Sequence, residues 1–369
     1  MDSEPNIDEL RGAITAIDES LLDLLRRRME LAGDVGCVKA EAGLPVVARD
    51  VEERVLGRAR QHADACGVSE DVMVAIFQAI MRGSVERQHR VGVHRRRQRG
   101  GRVLIVGGAG AMGAWLSSFL PLVGHRVDVV DPAGAPAATV ERHCARLDEV
   151  DDLAAYDFIV VAVPLAVTPS VLAEVVARRP PGLVVEIASI KSHLAPVLEQ
   201  AARSQVRVSS LHPMFGPGKS PYEPLTFVLA CREDVERERQ RVETLLRHPY
   251  TEVIAIPFDH HDRLMGWLLG LAHLTGMVFG AALAGSGLTA HELRECASTT
   301  FLRQVATAMS VLSEDPALYF DIQRLNPHRV AVYRATRAAL DQLVGQVEAG
   351  DADGFCATLA SARHAVSGD

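Results

Sequence analysis

Clustered cysteines are missing from this 369-residue sequence. Its six cysteines are scattered, with no CxxC pair and no group spaced like a set of metal ligands. This pattern predicts reduced thiols in a cytoplasmic protein and no metal site. The N-terminus is acidic and has no apolar core, so it does not predict a signal peptide.

A surplus of basic residues is also missing. The sequence has 39 Lys and Arg residues against 47 Asp and Glu residues, a formal net charge of −8. This balance gives no reason to expect a nucleic-acid partner. The 48% hydrophobic fraction is ordinary for a soluble globular protein, and the length allows two or three domains with sizeable cores.

One long segment lacks charge altogether. Residues 264–290 contain no Asp, Glu, Lys or Arg, and the segment is long enough to cross a bilayer. However, several glycines and the polar residues His273, Thr275 and Ser286 interrupt it, and no second such segment accompanies it. The pattern favours a helix buried all round, in a core or a subunit interface, over a membrane span.

Helical spacing fills the first 90 residues. Apolar residues recur at every third or fourth position after the capping-box pair Asn6 and Glu9, and Gly43 and Pro45 are expected to end this first helix. We therefore expect an all-helical domain over residues 1–90. Its predicted helices span residues 7–42, 49–65 and 70–90.

The rest of the chain divides into three segments. Residues 91–101 are basic and end in glycines, which predicts a solvated linker rather than a phosphate-binding patch. Residues 102–256 alternate apolar runs with helical segments, which is typical of a parallel sheet covered on both faces, and residues 257–369 are predicted to be helical. The predicted strands are Val103–Val106, Arg126–Val130, Phe158–Val163, Leu183–Ile187, Val206–Ser209, Phe227–Ala230 and Thr251–Ile256.

A glycine-rich loop, Gly107-Gly-Ala-Gly-Ala-Met-Gly113, follows the first of these strands and precedes a helical pattern. In this context GxGxxG predicts a Rossmann turn that binds the pyrophosphate of a dinucleotide. Asp131 ends the next strand, where a carboxylate accepts both ribose hydroxyls, so we expect NAD rather than NADP. The expected cofactor contacts are Gly108, Gly110, Ala111, Met112, Gly113, Asp131, Val163 and Pro164.

Polar residues follow two later strands of the predicted sheet. Ser189 and Lys191 come just after Leu183–Ile187, and His212 comes just after Val206–Ser209. The carboxyl ends of strands line the ligand crevice in open α/β sheets. A dehydrogenase that oxidises a hydroxyl needs a base within hydrogen-bond reach, and His212 is the candidate.

The same residues carry a family resemblance. LIVGGAGAMG, AVPLAVT, ASIKS, LHPMFGPG and HHD at 260–262 resemble the prephenate dehydrogenases, from Arg102 to about His328. The resemblance implies a Rossmann domain followed by an all-α dimerisation domain, and a homodimer. It also implies oxidative decarboxylation of prephenate, in which hydride leaves the ring C4 for NAD and CO2 is lost.

The resemblance assigns roles to four residues. His212 would polarise the C4 hydroxyl, Ser189 would hold His212 and the ring, and Lys191 would stand beside the crevice. His273 would lie near the side-chain end of the substrate.

One position departs from this family. Ser310 stands where the dehydrogenases usually have an arginine that grips the ring carboxylate. An anchoring cation is still needed in the ground state. Arg303 is the first candidate to replace it, and Arg294 is the second.

Polar side chains interrupt the apolar rows of the N-terminal helices. Arg28 falls on the apolar row of the first helix with Arg11 and Lys39 beside it, and Ser84 and Gln88 continue the apolar line of the third helix. The pattern fits a cation-rich pocket for a small dianion or an interhelical salt-bridge network, and both stay open. Arg11 and Arg28 lie roughly 25 Å apart along a helix, so one small-ligand site containing both requires two subunits.

A second resemblance covers residues 6–90. LRGAITAIDESLLDLLRRRMELAGDVGCVK and GSVERQ resemble the all-helical chorismate mutases. The resemblance implies rearrangement of chorismate to prephenate by shape and placed charge, without a cofactor. Its implied substrate contacts are Arg28 and the partner copy of Arg11 on two carboxylates, Lys39 and Gln88 on the ether oxygen, Glu52 on the ring hydroxyl, and Ser84 beside a carboxylate.

The mutase resemblance has departures of its own, since Val51 replaces a common arginine and Ala48 a common acidic residue. The preferred hypothesis is a bifunctional chorismate mutase–prephenate dehydrogenase of tyrosine biosynthesis. The second is a 4-amino-4-deoxychorismate mutase and 4-amino-4-deoxyprephenate dehydrogenase that makes 4-aminophenylpyruvate. The third is a dehydrogenase with a regulatory or dimerising N-terminal module, and a non-enzymatic nucleotide sensor is a further class. All predict small-molecule ligands, and none predicts a nucleic acid or membrane partner.

Overall fold

The computed structural model describes residues 6–42, 44, 49–96, 100–136, 139–248 and 250–367. Gly43 and Pro45, the predicted end of the first helix, lie outside the described residues, as does Ala48. The described chain forms a helical N-terminal part, a sheet flanked by helices, and a helical C-terminal part. This is the multidomain fold class that the sequence predicts.

Three helices form the N-terminal part: α1 (Ile7–Ala42), α2 (Arg49–Ala63) and α3 (Glu70–Arg96). The predicted cap is present at the start of α1, where Asn6 N donates a hydrogen bond to Glu9 Oε2 at 3.2 Å. Helix α3 continues past Arg90 into the segment predicted to be a linker. Residues 91–96 contain no proline and include two arginines, which favour helix, so nothing local ends α3 at the predicted position.

Glycines on α1 set the distance between α1 and α3. A Cβ atom at Gly36 would lie 2.6 Å from Cα of Gln88, and one at Gly33 would lie 3.3 Å from Nε of Arg87. Because neither glycine has a Cβ, the two backbones approach closely there. Gln88 is thereby held against the C-terminal half of α1.

The central sheet has eight strands in the order β3-β2-β1-β4-β5-β6-β7-β8. The first six in chain order run parallel, in the doubly wound order of dinucleotide-binding folds, and β7 lies antiparallel to β6. The strands are β1 (Arg102–Val106), β2 (Arg126–Val130), β3 (Val140–Cys144), β4 (Phe158–Val161), β5 (Leu183–Glu186), β6 (Val208–Pro213), β7 (Leu225–Cys231) and β8 (Thr251–Pro257).

Hydrophobic clusters cover both faces of the sheet, as the unbroken apolar runs predict. The flanking helices are α4 (Ala111–Leu122), α5 (Thr168–Ala177), α6 (Ala195–Arg203) and α7 (Val235–Leu246). Strand β3 was not predicted. It is an edge strand whose sequence, VERHC, is mostly exposed and polar, so it lacks the apolar pattern of a buried strand.

The C-terminal part is helical throughout. Helix α8 (Phe258–Met265) passes through a π-helical segment, Gly266–Leu271, into α9 (Ala272–Ala284) without leaving the helical path. The remaining helices are α10 (Ala290–Glu295), α11 (Thr299–Leu312), α12 (Pro316–Leu325), α13 (Arg329–Ala349) and α14 (Ala352–Ser367).

The charge-free segment is less buried than the sequence predicts. Gly266, Gly270 and Gly276 are buried, but Trp267 and Val278 are exposed. Within the single chain the segment is therefore not buried all round, because α11 and its neighbours cover only part of the surface of α9. Its burial in a subunit interface stays a prediction. Among the described residues, Phe258–Ala284 is the one helical run long and apolar enough to cross a membrane by length and composition.

Candidate active sites

The glycine loop joins β1 to α4 as the sequence predicts. Gly107 has a φ of 90°, which favours glycine, and Gly110 is the N-cap of α4. A Cβ at Gly113 would collide with Gly107 O and lie 2.8 Å from Cα of Gly108. A Cβ at Gly110 would meet nothing closer than 3.4 Å. Gly113 is thus required for packing within the loop, whereas Gly110 leaves space on the ligand side.

A cavity of about 740 Å³ opens beside this loop. Gly110 and Asp131 line it, together with Val163 and Pro164 just past β4. Ala111 and Met112 form the first turn of α4, whose N-terminal amides suit a pyrophosphate. The volume, the glycine surface and the helix N-terminus together fit a dinucleotide.

Asp131 is fixed at the edge of the cavity. Its Oδ2 accepts a hydrogen bond from Ala109 N at 2.9 Å, and its Oδ1 accepts one from Ala133 N at 2.8 Å. Each carboxylate oxygen keeps a lone pair for a further donor. This arrangement suits two ribose hydroxyls and disfavours a 2′-phosphate, which would bring like charge beside the carboxylate.

Lys191 is wholly buried, and its place beside the crevice stays a prediction. Its Nζ pairs with the buried carboxylate of Glu186 at 2.7 Å and donates to Leu211 O at 2.9 Å. Burial lowers the pKa of Lys191, and Glu186 opposes that shift. The ammonium group therefore ties the end of β5 to the residue that precedes His212.

His212 lies within β6 rather than in a loop after it. The strand extends to Pro213 because residues 210–213 pair antiparallel with β7, with His212 opposite Val228. Its Nδ1 lies 3.1 Å from Nε2 of His261, and Nδ1 of His261 lies 2.8 Å from Oδ1 of Asp262. These three residues form a buried chain of hydrogen bonds, hereafter the histidine chain.

The carboxylate of Asp262 anchors the histidine chain. Its Oδ1 accepts from Lys191 N at 2.8 Å and its Oδ2 accepts from Ser192 N at 2.7 Å. Burial acts to raise the pKa of Asp262, but the hydrogen bonds from His261, Ser192 and Lys191 outweigh it and lower the pKa to about 2. Asp262 is therefore ionised at neutral pH.

The two histidines are kept neutral. Burial lowers the pKa of His212 well below 6.5, and the neighbouring His261 and Lys191 lower it further. The pKa of His261 is also lowered, mainly by burial. Because Asp262 accepts from Nδ1 of His261, the Nε2 of His261 is left as an acceptor, and Nδ1 of His212 is the donor to it. The free acceptor of His212 is then Nε2.

Ser189 lies half-buried just past β5. Within the described residues, no hydrogen bond joins it to His212, whose Nδ1 is taken by His261. The expectation that Ser189 holds His212 is thus not met in this structure.

His273 lies on α9, with its ring 4.8 Å from that of Tyr319 in an edge-to-face contact. Its Nδ1 is buried and has no partner among the described residues, and burial lowers its pKa. Tyr319 also donates a long hydrogen bond, 3.4 Å, to the carbonyl oxygen of Ser310. The residue that replaces the family arginine is thereby connected to His273 through Tyr319.

Arg294 and Arg303, the two candidates for the carboxylate anchor, are exposed on α10 and α11. Neither makes a contact with the histidine chain within the described part of this single chain. Their roles stay predictions.

The N-terminal helices bring several predicted residues together. Arg28 of α1 donates to Ser84 Oγ on α3, and at 3.4 Å to the carbonyl oxygen of Ile80. Burial lowers the pKa of Arg28, which is half-buried here. Gln88 lies one helical turn beyond Ser84 and has a buried Oε1 without a described partner. These contacts form a polar pocket between α1 and α3. The place of Lys39 in this pocket stays a prediction.

Two further predicted residues make contacts with other partners. Arg11 is exposed near the start of α1 and pairs with Asp8 at 3.5 Å, so this chain does not bring it to Arg28. Glu52 of α2 accepts a hydrogen bond from the hydroxyl of Tyr250, which belongs to the sheet domain, at 3.2 Å. No sequence pattern indicates this interdomain contact.

Three other residues at the sites were not assigned roles from sequence. They are Glu186, His261 and Asp262. Glu186 had a local signal, since a charged residue that closes the apolar run Leu-Val-Val needs a buried partner. His261 and Asp262 stood in the quoted HHD motif, but their contact with His212 depends on how the domains pack.

Three family models match the chain. Chorismate mutase type II matches residues 10–89, the nucleotide-binding domain of prephenate dehydrogenase matches residues 129–245, and its dimerization domain matches residues 257–361. The order of the three matches is the order of the three parts of the fold.

The chain is also similar to individual proteins of these families. The T-protein of Enterobacter agglomerans is 27% identical over 350 residues, which is 95% of this chain and 90% of the relative. The 4-amino-4-deoxyprephenate dehydrogenase of Streptomyces pristinaespiralis is 33% identical over 273 residues, 71% of this chain and 90% of the relative. The crystal structure of prephenate dehydrogenase from A. aeolicus with hydroxyphenyl propionate and NAD+ has a TM-score of 0.59 at 17% identity, covering 71% of this chain and 96% of that one.

The fold and its sites define a nucleotide-dependent dehydrogenase joined to a helical mutase. The chain belongs to the prephenate dehydrogenase family and carries a chorismate mutase type II domain at its N-terminal end. These matches confirm the fold class, the two enzyme families and the nucleotide cofactor that were predicted from sequence.

The loop glycines give a matched pair of variants. We expect Gly113→Ala to lower the unfolding temperature and abolish NAD binding, because its methyl group collides with the loop backbone. Gly110→Ala is expected to keep the unfolding temperature within a few degrees but to weaken NAD binding, because its methyl group lies on the ligand side. Thermal unfolding and calorimetric titration with NAD measure both. Equal loss of stability in the two variants would contradict this account of the loop.

The buried ion pair gives a second prediction. Lys191→Met leaves the Glu186 carboxylate buried without its cation, which is expected to lower the free energy of unfolding by about 3–5 kcal/mol. The double variant Lys191→Met/Glu186→Gln removes both charges and is expected to recover at least half of that loss. Denaturant unfolding monitored on the sheet domain measures both, and a double variant no more stable than the single one argues against a paired charge.

Proposed function

We propose that this enzyme rearranges chorismate to prephenate and then oxidatively decarboxylates prephenate to 4-hydroxyphenylpyruvate with NAD, as a bifunctional enzyme of tyrosine biosynthesis in the cytoplasm. The observation that carries the dehydrogenase half is the histidine chain, which holds a neutral base in the carboxyl-terminal part of β6, at the edge of the sheet where the nucleotide cavity also lies. The observation that supports the mutase half is the polar pocket of Arg28, Ser84 and Gln88.

His212 is the base of the proposed oxidation. Its neutral Nε2 accepts the proton of the C4 hydroxyl as hydride leaves C4 and the C–O bond gains double-bond character. When CO2 leaves, the electron pair of the broken C–C bond makes the ring aromatic and places negative charge on that oxygen, which takes the proton back to give the phenol. Asp262 holds His261 in the tautomer that accepts from His212, so the acceptor nitrogen of His212 is directed by its hydrogen bonds. The bound dinucleotide supplies the hydride acceptor.

Loss of CO2 needs a group that holds the ring carboxylate until the bond breaks. We propose that Arg303 serves here, with Arg294 as the second candidate, because Ser310 cannot supply a cation. His273 is proposed to lie at the side-chain end of the substrate, where its unpartnered Nδ1 is available to a carbonyl or carboxylate. Ser189 is proposed to contact the ring from the end of β5.

The mutase half is proposed to act through fixed charges. Arg28 binds one substrate carboxylate with help from Ser84, and Lys39 and Gln88 bind the ether oxygen, where negative charge grows as the C–O bond breaks. The side-chain oxygen of Gln88 is buried, so the amide group that carries it lies inside the pocket. No side chain needs to gain or lose a proton, so catalysis rests on positioning.

A homodimer is proposed for both halves. Arg11 is roughly 25 Å along α1 from Arg28, so the second carboxylate of chorismate is bound by the Arg11 of a second copy. Apolar side chains along α1 are exposed in the single chain and are suited to a helix from a second copy. They are Ile7, Leu10, Ile14, Ile17, Leu21 and Leu24.

A second candidate function is the 4-amino pathway. It is favoured by Val51, since the absence of a cation beside Glu52 leaves that carboxylate able to pair with an ammonium group on C4 of the substrate. The 33% identity to a 4-amino-4-deoxyprephenate dehydrogenase also supports it. The longer similarity to the T-protein, over 95% of the chain, supports the hydroxyl substrates.

One coupled assay tests the proposed function. The full chain is supplied with NAD and with chorismate, prephenate or 4-amino-4-deoxychorismate, and NADH is followed. We expect NADH from chorismate and from prephenate, with faster turnover than for the amino compound. Activity on prephenate but not on chorismate would contradict the mutase half, and faster turnover of the amino compound would establish the second candidate instead.

The variant His212→Asn is compared with wild type in the same assay. It is expected to lower dehydrogenation of prephenate by at least 10³-fold, because the neutral amide cannot accept the hydroxyl proton. Its conversion of chorismate to prephenate should stay within twofold of wild type, because His212 lies in the sheet domain. NAD binding without turnover in the wild type, unchanged by this variant, would indicate a sensor.

The histidine chain also predicts a pH dependence. His212 accepts a proton only when neutral, and its pKa lies well below 6.5. The kcat/KM of prephenate oxidation is therefore expected to be flat as pH falls from 8 to about 6.5, and to decline only at lower pH. A decline centred at or above pH 6.5 would show that the working base is not a buried neutral histidine.

A further inference from the structure

The mutase helices and the sheet domain meet along a narrow apolar contact, hereafter the seam. Val85 of α3 and Tyr222 are buried there, and Leu122 and Tyr250 pack against them. Val85 directly follows Ser84, the residue that contacts Arg28. The seam is therefore adjacent in the chain to the mutase pocket.

Tyr250 crosses the seam and reaches a predicted mutase residue. Its hydroxyl lies 3.2 Å from Oε1 of Glu52 on α2, a contact between residues 198 positions apart. The tyrosine itself is held by the sheet domain, since its carbonyl oxygen accepts from Leu225 N at 2.8 Å and its ring lies 5.7 Å from that of His248. The position of the phenol is thus set by the dehydrogenase half.

The protonation of the phenol decides which group donates this hydrogen bond. Burial raises the pKa of Tyr250, and the nearby Glu52 raises it further, so the phenol keeps its proton at neutral pH. Glu52 is acceptor-only when ionised, and Tyr250 therefore donates. A hydrogen bond to a charged acceptor is among the stronger ones in proteins.

We propose that Tyr250 is a positioning residue of the mutase site, which acts by fixing the carboxylate of Glu52. The inference rests on the proposed function, in which Glu52 binds the group on C4 of the substrate ring. Tyr250 occupies Oε1 and leaves Oε2 for the substrate. Val51, at the position where the mutases commonly have an arginine, offers Glu52 no hydrogen-bond donor.

A neutral donor differs from an arginine in one respect. It orients the carboxylate without cancelling its charge, so Glu52 keeps a full negative charge toward the substrate. The C4 group, whether hydroxyl or ammonium, therefore meets an oriented anion. One determinant of mutase specificity accordingly lies in the sheet domain.

A double-mutant cycle in the full-length enzyme tests this assignment. The variants are Tyr250→Phe, Glu52→Gln and the two combined, and the measurement is kcat and KM for chorismate. We expect Tyr250→Phe to lower kcat/KM about tenfold, mainly through KM, because the C4 group is bound in the ground state and the transition state alike. In the Glu52→Gln background the same change is expected to cost less than twofold, since the carboxylate it orients is gone.

Two controls accompany the cycle. Tyr333→Phe removes a phenol hydroxyl that donates to Gln323 in the C-terminal helices, and it should leave the mutase unchanged. Oxidation of prephenate by Tyr250→Phe should also be unchanged, because the phenylalanine ring still fills the seam.

The outcomes distinguish an error in the proposed mutase site from an error in the positioning role of Tyr250. If Glu52→Gln leaves kcat/KM for chorismate unchanged, the proposed mutase site itself is wrong. If Glu52→Gln impairs the mutase but Tyr250→Phe does not, only the positioning role fails. An equal loss from Tyr250→Phe in both backgrounds, or a parallel loss of prephenate oxidation, would mean that Tyr250 supports the seam and not Glu52.

Discussion

The arrangement of the dehydrogenase site depends on one buried carboxylate. Asp262 comes from the first helix of the C-terminal part, yet two of its acceptor bonds are to backbone amides that follow β5 of the sheet. Its own carbonyl oxygen accepts from Asn326, which precedes α13. An ionised, fully bonded carboxylate is costly to displace, so it locks the relative position of the two domains. The same group orients His261 and, through it, His212.

Local features were predictable from the sequence, and contacts between distant segments were not. The glycine loop and Asp131 fall in one strand–loop–helix–strand unit, whose geometry follows from a short stretch of chain. His212 was placed in a loop because its strand continues only through pairing with β7, which no local pattern reveals. The ion pair of Lys191 with Glu186 was not predicted, because Glu186 was read only as part of the strand Leu183–Ile187. The contact of Tyr250 with Glu52 joins two domains, and no local sequence pattern in either segment predicts it.

The two halves of the enzyme solve a similar electrostatic problem in different ways. In the dehydrogenase half, charges are buried in pairs and the proposed base, His212, is kept neutral by its surroundings. In the proposed mutase pocket, Oε1 of Gln88 has no partner among the described residues, and the Arg28 guanidinium supplies a positive charge, which suits an anionic ligand. Proton transfer needs the first arrangement, and a rearrangement without proton transfer needs only the second.

The π-helical segment between α8 and α9 has a consequence for the orientation of α9. His261 and Asp262 precede this segment and His273 follows it, along one continuous helical path. A π-helical turn accommodates one residue more than an α-helical turn does. Rewound as a regular α-helix, the same residues would turn α9 by about 100° relative to α8. The π-helical winding of this short stretch therefore sets which face of α9 meets the crevice, independently of which side chains that face carries.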